Sequence, residues 1–266
     1  MTWPTFRGRR TSYLHAAAAP LVFFLVFPFV AILLSLSPAH LFRHLFSEMA
    51  LTALGLTLQT TLIATAFTVL TGTPLALLLA RHRFRGREVL DTLVDLPITV
   101  PPVVGGVALL FAFGRRGLLG RSLEVFGLQL PFSTAAVIMA QVFIASPFFV
   151  KAARAGFEGV PVRLEAAART LGASPWHVFW TVTLPLARPA LVAGTVLCWA
   201  RALSEFGATM MFAGNFPGRT QTLALAVMSA MESDLETALA VSTLAIFLGL
   251  GALILAKNWA RRALRN

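Results

Sequence analysis

Residues 163–185 read RLEAAARTLGASPWHVFWTVTLP. This stretch predicts two short helices joined by a sharp turn. Arg163–Leu171 is rich in strong helix formers, and Gly172 then supplies a residue that ends a helix in the left-handed conformation. Ser174 is a good N-cap and Pro175 suits the first helical position, so a second short helix is predicted from there to Val182. A simple connection between two other elements would not need such a bent pair.

The composition around this stretch is that of a membrane protein. The chain has 266 residues, of which 57% are hydrophobic and only 12% are charged, and its mean hydropathy is +0.78. A soluble domain carries about 25% charged residues, so the bilayer must solvate much of this apolar surface. The net charge is +11, but the basic residues lie in short clusters between apolar runs. This pattern indicates membrane topology rather than nucleic-acid binding.

Six stretches are long and apolar enough to cross a bilayer as helices. They are Ala16–Leu36, Ala53–Ala80, Leu93–Phe113, Ser133–Val150, Pro189–Phe212 and Glu236–Ala256. The first has the basic front of a signal peptide, but its apolar run is longer than a signal core and no small-x-small cleavage site follows. We therefore expect it to be retained, in an all-α integral membrane protein with six transmembrane helices.

Basic residues in the flanks orient these helices. With the N-terminus inside, the inner segments hold sixteen Lys and Arg residues and the outer segments hold five. The inner set is Arg7, Arg9, Arg10, Arg81, Arg83, Arg85, Arg87, Lys151, Arg154, Arg163, Arg169, Arg188, Lys257, Arg261, Arg262 and Arg265. Under the positive-inside rule this asymmetry predicts that both termini are cytoplasmic, and that the bent pair of helices is cytoplasmic too.

The bent pair resembles the coupling motif of the permease subunits of ABC importers. That motif reads Glu-Ala-Ala, three residues, Gly, nine residues, a β-branched aliphatic residue, any residue and Leu-Pro. With Gly172 as its glycine, Val182, Leu184 and Pro185 stand where the motif requires them. In the family, this segment is a knob that sits in a groove on the ATPase subunit. An ordinary amphipathic surface helix is the alternative interpretation.

The front of the motif departs from the family pattern by one residue. The Glu-Ala-Ala positions are occupied by Ala166, Ala167 and Ala168, and the acidic residue is Glu165, one position earlier. One step along a helix turns a side chain by about 100°. The shift leaves open whether Glu165 makes the contact with the ATPase that the family motif implies.

Two further stretches extend the resemblance. From Asp95 the chain reads DLPITVPPVVGG, and from Arg201 it reads RALSEFGATMMFAGNFPGRTQTL. Both are similar to the molybdate and tungstate permease subunits of this family, with the sulfate permeases close behind. The likeness covers roughly residues 51–255, and the run Gly214–Thr220 favours molybdate. The position of Ser204 is commonly Gly in the family.

The resemblance implies a type I ABC importer permease fold in a bacterial inner membrane. Residues 1–50 would hold the N-terminal tail, first helix and periplasmic loop, residues 51–257 the permease core with its coupling segment 151–188, and residues 258–266 the C-terminal tail. The implied partners are a second copy of the chain, two cytoplasmic ATPase subunits and a periplasmic or secreted molybdate-type binding protein. No cofactor is expected in this chain, since ATP and magnesium would bind the ATPase subunit.

Helix-breaking residues interrupt the third predicted span. Pro97, Pro101, Pro102, Gly105 and Gly106 loosen its backbone hydrogen-bond ladder. Within a membrane such breaks are tolerated only where neighbours or a water-filled cavity satisfy the freed groups. This favours a helix beside the translocation pathway, and a kinked packing helix without a role in the pore is the alternative.

The fifth span carries charges. Arg201 and Glu205 are four residues apart, on one face of a helix, with Ser204 beside them. Because a charge in hydrocarbon is costly, such residues pair and face the interior of a bundle. A mutual ion pair is one interpretation, and a role in gating is the more specific one.

The second span carries a narrow stripe of small and polar residues. Thr57, Thr61, Thr65, Thr68 and Gly72 recur at helical spacing. Close packing against another helix explains such a stripe, and a pore-lining surface is the alternative.

The sequence lacks the motifs of an enzyme. A P-loop needs Gly-Lys-Ser or Gly-Lys-Thr, and neither Lys151 nor Lys257, the only lysines, follows a glycine. The chain therefore has to borrow an ATPase. A transporter driven by an ion gradient is the competing class, but it would need ionisable residues near the midplane, where only Arg201 and Glu205 qualify.

The predicted orientation can be tested with reporter fusions. A fusion at Asn215 should report a periplasmic position, and one at Asn266 a cytoplasmic position, because of the charge asymmetry of the flanks. Alkaline phosphatase and green fluorescent protein activities measure the two positions. A periplasmic signal at Asn266 or a cytoplasmic one at Asn215 would contradict the orientation.

Overall fold

The computed structural model describes residues 9–35 and 37–263. The predicted flanking charges Arg7 and Arg265, and the end of the first predicted span at Leu36, lie outside the described residues. Within the described part the helices are α1 Arg9–Leu34, α2 Pro38–Leu45, α3 Glu48–Arg81, α4 Arg87–Thr99, α5 Pro102–Phe113, α6 Gly120–Val125, α7 Thr134–Glu158, α8 Val162–Thr170, α9 Pro175–Val178, α10 Leu184–Leu203, α11 Gly207–Ala213, α12 Leu223–Ser233 and α13 Leu235–Ala263. A π-helical turn, Phe179–Thr183, joins α9 to α10.

The prediction of an all-α membrane protein is confirmed. In the described residues, five helices are long and apolar enough to cross a bilayer, and a sixth span is formed if the bent pair α4 and α5 counts as one. The fourth predicted span is longer than expected, since α7 continues beyond Val150 to Glu158. The short helix α12 lies in a stretch that the sequence assigned to an outer connection.

The third predicted span, Leu93–Phe113, is not one helix. The chain bends by 118° between α4 and α5. Val100 and Pro101 are extended, with ψ near 135° and 134°. Residues that precede a proline are driven out of the helical region by its ring, and a proline has no N–H to donate. The consecutive prolines at 101 and 102 thus end one helix and start the next.

The fifth predicted span, Pro189–Phe212, was wrong at both ends. Its helix stops at Leu203, and α11 begins only at Gly207. At the other end, the second short helix does not end before Leu184, because helical structure runs on from Pro175 to Leu203. The π-helical turn holds one extra residue, and its wider ladder lets the helix continue through a Leu-Pro pair that would otherwise signal a stop.

The core of the bundle is a three-helix contact among α3, α7 and α10. Glycine and alanine bring α7 and α10 close together: a Cβ on Gly156 would lie 2.5 Å from that of Ala190, and one on Gly194 would lie 2.8 Å from that of Ala152. The two helices therefore present matching small residues four positions apart. Such small-residue contacts replace the hydrophobic effect as the basis of helix packing in lipid.

The remaining helices surround this core. The pair α12 and α13 packs on α10 and α3, with α2 resting on α13. Asp234 caps α13 by accepting hydrogen bonds from the backbone N–H groups of Glu236 and Thr237. The hydroxyl of Thr237, which also donates to this carboxylate, lowers the pKa of Asp234 below its usual value. Helix α1 contacts α13, and none of the residues Ala17–Leu34 is buried.

Candidate functional site

The turn of the coupling hairpin, which we define as residues 162–178, has the predicted geometry. Gly172 has φ +86°, in the left-handed region. Its N–H donates to the carbonyl of Arg169 at 2.9 Å, and the N–H of Ala173 donates to that of Ala168 at 3.1 Å. This is a Schellman motif. The Ser174 hydroxyl then accepts from the N–H of His177 at 3.2 Å and caps α9, with Pro175 at its first position.

Most of the coupling hairpin is exposed. Leu171 is 88% exposed and Trp176 is 69% exposed, while Ala166 and Ala167 are also open to solvent. Ala168 is half-buried. Farther along, Val182 and Leu184 are half-buried and Pro185 is exposed. The apolar tip of the hairpin therefore has no cover within the described part of this chain.

Glu165 faces the opposite way from this exposed tip. Its Oε1 accepts a hydrogen bond from Arg81 Nη2 at 2.8 Å and another from Thr183 Oγ1 at 2.7 Å. The same Arg81 nitrogen donates to the carbonyl of Val160 at 3.1 Å. The displaced acidic residue of the motif thus bonds within its own chain. The sequence patterns do not single out Arg81, Val160 or Thr183, and the charge pattern indicates only a flanking position for Arg81.

The breaks in the third and fifth spans lie against each other. A Cβ on Gly106 of α5 would lie 2.6 Å from the carbonyl oxygen of Ala208 in α11, and one on Gly207 would lie 3.1 Å from the backbone nitrogen of Val103. A side chain at Gly106 would force the backbone to shift, and one at Gly207 would be tightly packed. We define the paired breaks as residues 100–102 and 204–206.

The prolines of the third span take different positions. Pro101 is exposed at the break itself. Pro97 lies inside α4 and lines a cavity of about 290 Å³ together with Thr68 of α3 and Phe143 of α7. Pro97 therefore lies beside the bundle core, and Pro101 lies at the break.

The ion pair that the spacing of Arg201 and Glu205 predicts is present. Arg201 Nη2 lies 3.0 Å from Glu205 Oε2, with the Arg201 side chain 24% exposed and that of Glu205 fully buried. The other carboxylate oxygen accepts from the N–H of Ala208 at 2.7 Å, so Glu205 also caps α11. Ser204 is exposed, and its hydroxyl accepts from Arg201 at 3.4 Å. This cluster thus ties the end of α10 to the start of α11.

The threonine stripe of α3 faces protein. Thr57 Oγ1 accepts from the N–H of Leu223 at 2.8 Å, and Thr61 Oγ1 accepts from Trp199 Nε1 at 3.1 Å. Thr65 is buried as well. Two of these hydroxyls therefore connect α3 to α12 and α10, which favours the helix-packing interpretation over a pore-lining one.

The spans, the paired breaks and the exposed hairpin together are typical of a permease-type subunit of a membrane transporter. Residues 72–265 match the family described as "Binding-protein-dependent transport system inner membrane component". The chain belongs to this family.

Relatives are similar over most of the chain. The molybdenum transport system permease protein ModB of Mycobacterium tuberculosis is 43% identical over 249 residues, covering 91% of this chain and 94% of that protein. ModB of Escherichia coli K12 is 43% identical over 182 residues, covering 68% and 80%. The chloroplastic sulfate permease 2 of Chlamydomonas reinhardtii is 41% identical over 202 residues, covering 76% of this chain and 55% of that protein.

Solved structures share the fold. A bacterial ABC transporter involved in the import of the acidic polysaccharide alginate superposes with a TM-score of 0.75 at 18% identity, covering 95% of this chain and 96% of that one. The MetNI methionine ABC transporter, in an inward-facing conformation, gives a TM-score of 0.64 at 18% identity, covering 82% and 99%. The type I importer permease fold is thereby shown.

Replacing Gly172 with valine should uncouple the transporter. A β-branched residue at positive φ is strained by about 1 kcal/mol or more. Among the described residues, no atom beyond the two adjacent residues lies within 4 Å of the added Cβ, so the change acts on the turn alone. We expect normal membrane abundance, weakened ATPase association and steeply reduced transport, measured by co-purification and uptake.

Gly127→Val is the matched control. Gly127 also has positive φ, +70°, and open space around it, but it lies in the connection between α6 and α7. It should leave ATPase association unchanged. Normal transport by Gly172→Val with the ATPase fully bound would contradict the role of the hairpin.

Proposed function

We propose that this chain is the membrane-spanning subunit of an ATP-driven importer of molybdate or tungstate in a bacterial inner membrane. The observation that carries the proposal is the 43% identity to a molybdenum permease over 91% of the chain. That range includes both the coupling hairpin and the paired breaks. The more partial coverage of the sulfate permease, 55% of its length, makes sulfate the second candidate.

The coupling hairpin is proposed to transmit the conformational change of a separate ATPase subunit to the spans. Its exposed Leu171 and Trp176 offer the apolar surface that a groove on such a subunit would cover. ATP binding would draw two ATPase subunits together, and the two hairpins would move with them. A ligand shifts a conformational equilibrium only if its affinity for the two conformations differs. The ATPase must therefore bind the hairpin with different affinity in the two conformations of the transporter.

A second copy of the chain is proposed to complete the pathway. The described bundle has a packed core of α3, α7 and α10, and a symmetric pathway would need a second bundle beside it. The apolar residues of α1 are exposed along the helix, for example Phe24 at 72% and Phe27 at 54%. Among the described elements, α13 is the main contact of this helix. The rest of its surface can therefore lie against a partner bundle or against lipid.

The paired breaks are proposed to form the gate. Residues 100–102 and 204–206 are where two spans lose helical structure, and they meet through glycine contacts. Rigid helices that end at such breaks can turn about them. Arg201 is proposed to reach the oxyanion only transiently, since its ion pair with Glu205 balances its charge at rest.

A carrier driven by an ion gradient is disfavoured by the same pair. Such a carrier would use an ionisable group near the midplane that gains and loses its ion. Glu205 is already held by Arg201 and by the N–H of Ala208. ATP-dependent uptake that persists when the proton gradient is collapsed would separate the two mechanisms.

Molybdate uptake should depend on this subunit. We expect deletion of its gene to abolish high-affinity uptake of labelled molybdate and tungstate, and re-expression to restore it. Deletion that spares molybdate uptake and abolishes sulfate uptake would show that sulfate is the substrate.

The complex reconstituted with ATPase and binding protein should hydrolyse ATP, whereas the purified chain alone should not, since it has no Gly-Lys pair.

A further inference from the structure

The hydrogen bonds around Glu165 join four separate parts of the chain. Arg81 is the last residue of α3, Val160 lies between α7 and α8, Glu165 is in the first turn of α8, and Thr183 ends the π-helical turn before α10. We define these four residues as the cytoplasmic node. Glu165 Oε1 and Arg81 Nη2, 2.8 Å apart, are its centre.

The cytoplasmic node is the main attachment of α8 to the spans. Among the residues of α8, Glu165 is the one that is buried. Its side chain is 12% exposed and that of Arg81 is 17% exposed. A helix of nine residues that buries one side chain has no hydrophobic face to hold it in place. The position of α8 is therefore set by this carboxylate and by its covalent connections.

Charge and burial make the contact hard to break. Two opposite charges that are mostly withdrawn from water attract strongly, and separating them would leave each without compensation. Arg81 Nε is also buried and has no hydrogen-bond partner among the described residues, so within this part of the chain the guanidinium depends on its Nη2 contacts. The ion pairs between α4 and α7, such as Lys151 with Asp95 at 55% and 35% exposure, are wetter and do not involve α8.

The π-helical turn is what brings Thr183 into the cytoplasmic node. The turn runs from Phe179 to Thr183, and its extra residue changes the direction in which the following side chains point. Thr183 is thereby buried with its hydroxyl on Glu165, while Thr181 in the same turn is exposed and bonds only to the carbonyl of His177. π-helical turns occur frequently at functional sites.

We propose that Glu165 is a positioning residue that makes α8 move as one rigid body with the cytoplasmic ends of α3 and α10. The proposal rests on the function proposed above. A push from the ATPase on the exposed tip of the hairpin would then reach two spans of the bundle core directly. In this role Glu165 acts through Arg81 and Thr183 within its own chain, and the ATPase contacts are left to the exposed face.

Variants of the cytoplasmic node should separate this role from a direct ATPase contact. In the complete complex in proteoliposomes, Glu165→Gln and Arg81→Gln should each lower oxyanion uptake per ATP hydrolysed by about fivefold or more, which is the size of ordinary coupling between sites. The ATPase should co-purify at the wild-type level. The double variant should be no worse than either single one, because both remove the same interaction.

Thr183→Val is the mild variant, since it keeps both charges and the size of the side chain. It should reduce uptake per ATP hydrolysed, while Thr181→Val, two residues away and exposed, should not. Loss of ATPase association in Glu165→Gln with normal behaviour of Arg81→Gln would overturn the proposal. Equal effects of Thr183→Val and Thr181→Val would also overturn it.

A distance measurement tests, independently of the substrate, whether α8 and α3 move as one rigid body. In a Cys198→Ala background, spin labels at His82→Cys and Arg169→Cys, both exposed, report the separation of α3 and α8 in the complete complex. The distance should be the same without nucleotide and with trapped ATP, and Glu165→Gln should broaden it. A nucleotide-dependent change with the node intact would show that α8 moves independently. Absence of uptake of molybdate, tungstate and sulfate by the wild type would instead refute the proposed function and leave this measurement valid.

Discussion

In a bilayer, backbone N–H and C=O groups have to find partners inside the protein, since lipid offers none. Most of this chain meets the requirement with unbroken helices. The helices are interrupted at residues 100–102 and 204–206, and these two interruptions lie against each other through Gly106 and Gly207. The Pro101 carbonyl accepts from two N–H groups of α5, and Glu205 accepts from α11. Each break is thus satisfied by nearby protein.

The same requirement shapes the path from the coupling hairpin to the breaks. Helical structure is continuous from Pro175 to Leu203, so one element connects the hairpin with the second break. Along the way it packs closely on α7 through Gly156 and Gly194. Close-packed interiors of this kind shift between discrete arrangements rather than deforming smoothly. A displacement at one end of the element therefore reaches the other end.

Much of the fold could be predicted because its signals are local. Hydropathy marked the spans, and Gly172, Ser174 and Pro175 encoded the turn of the hairpin through their own backbone preferences. The rest depends on contacts that no local pattern records. The stop at Leu203 has no proline or glycine at 204–206 to announce it, and α11, which follows it, packs on α5 about a hundred residues earlier. Glu165 and Arg81 are in contact although they are 84 positions apart in the sequence. The Leu184-Pro185 pair, which predicts a helix end, instead follows a π-helical turn that continues into α10.

If the paired breaks form the gate, those of one copy move relative to those of the other when the ATPase binds ATP. Exposed Ser204 marks one break, and two copies of the chain would place two such residues in the complex. In a Cys198→Ala background, spin labels at Ser204→Cys measure the distance between the copies by electron–electron double resonance. We predict a change of about 5 Å or more between the nucleotide-free and ATP-trapped complexes, the size of a one-turn shift. An unchanged distance in a complex that still imports its substrate would contradict the account.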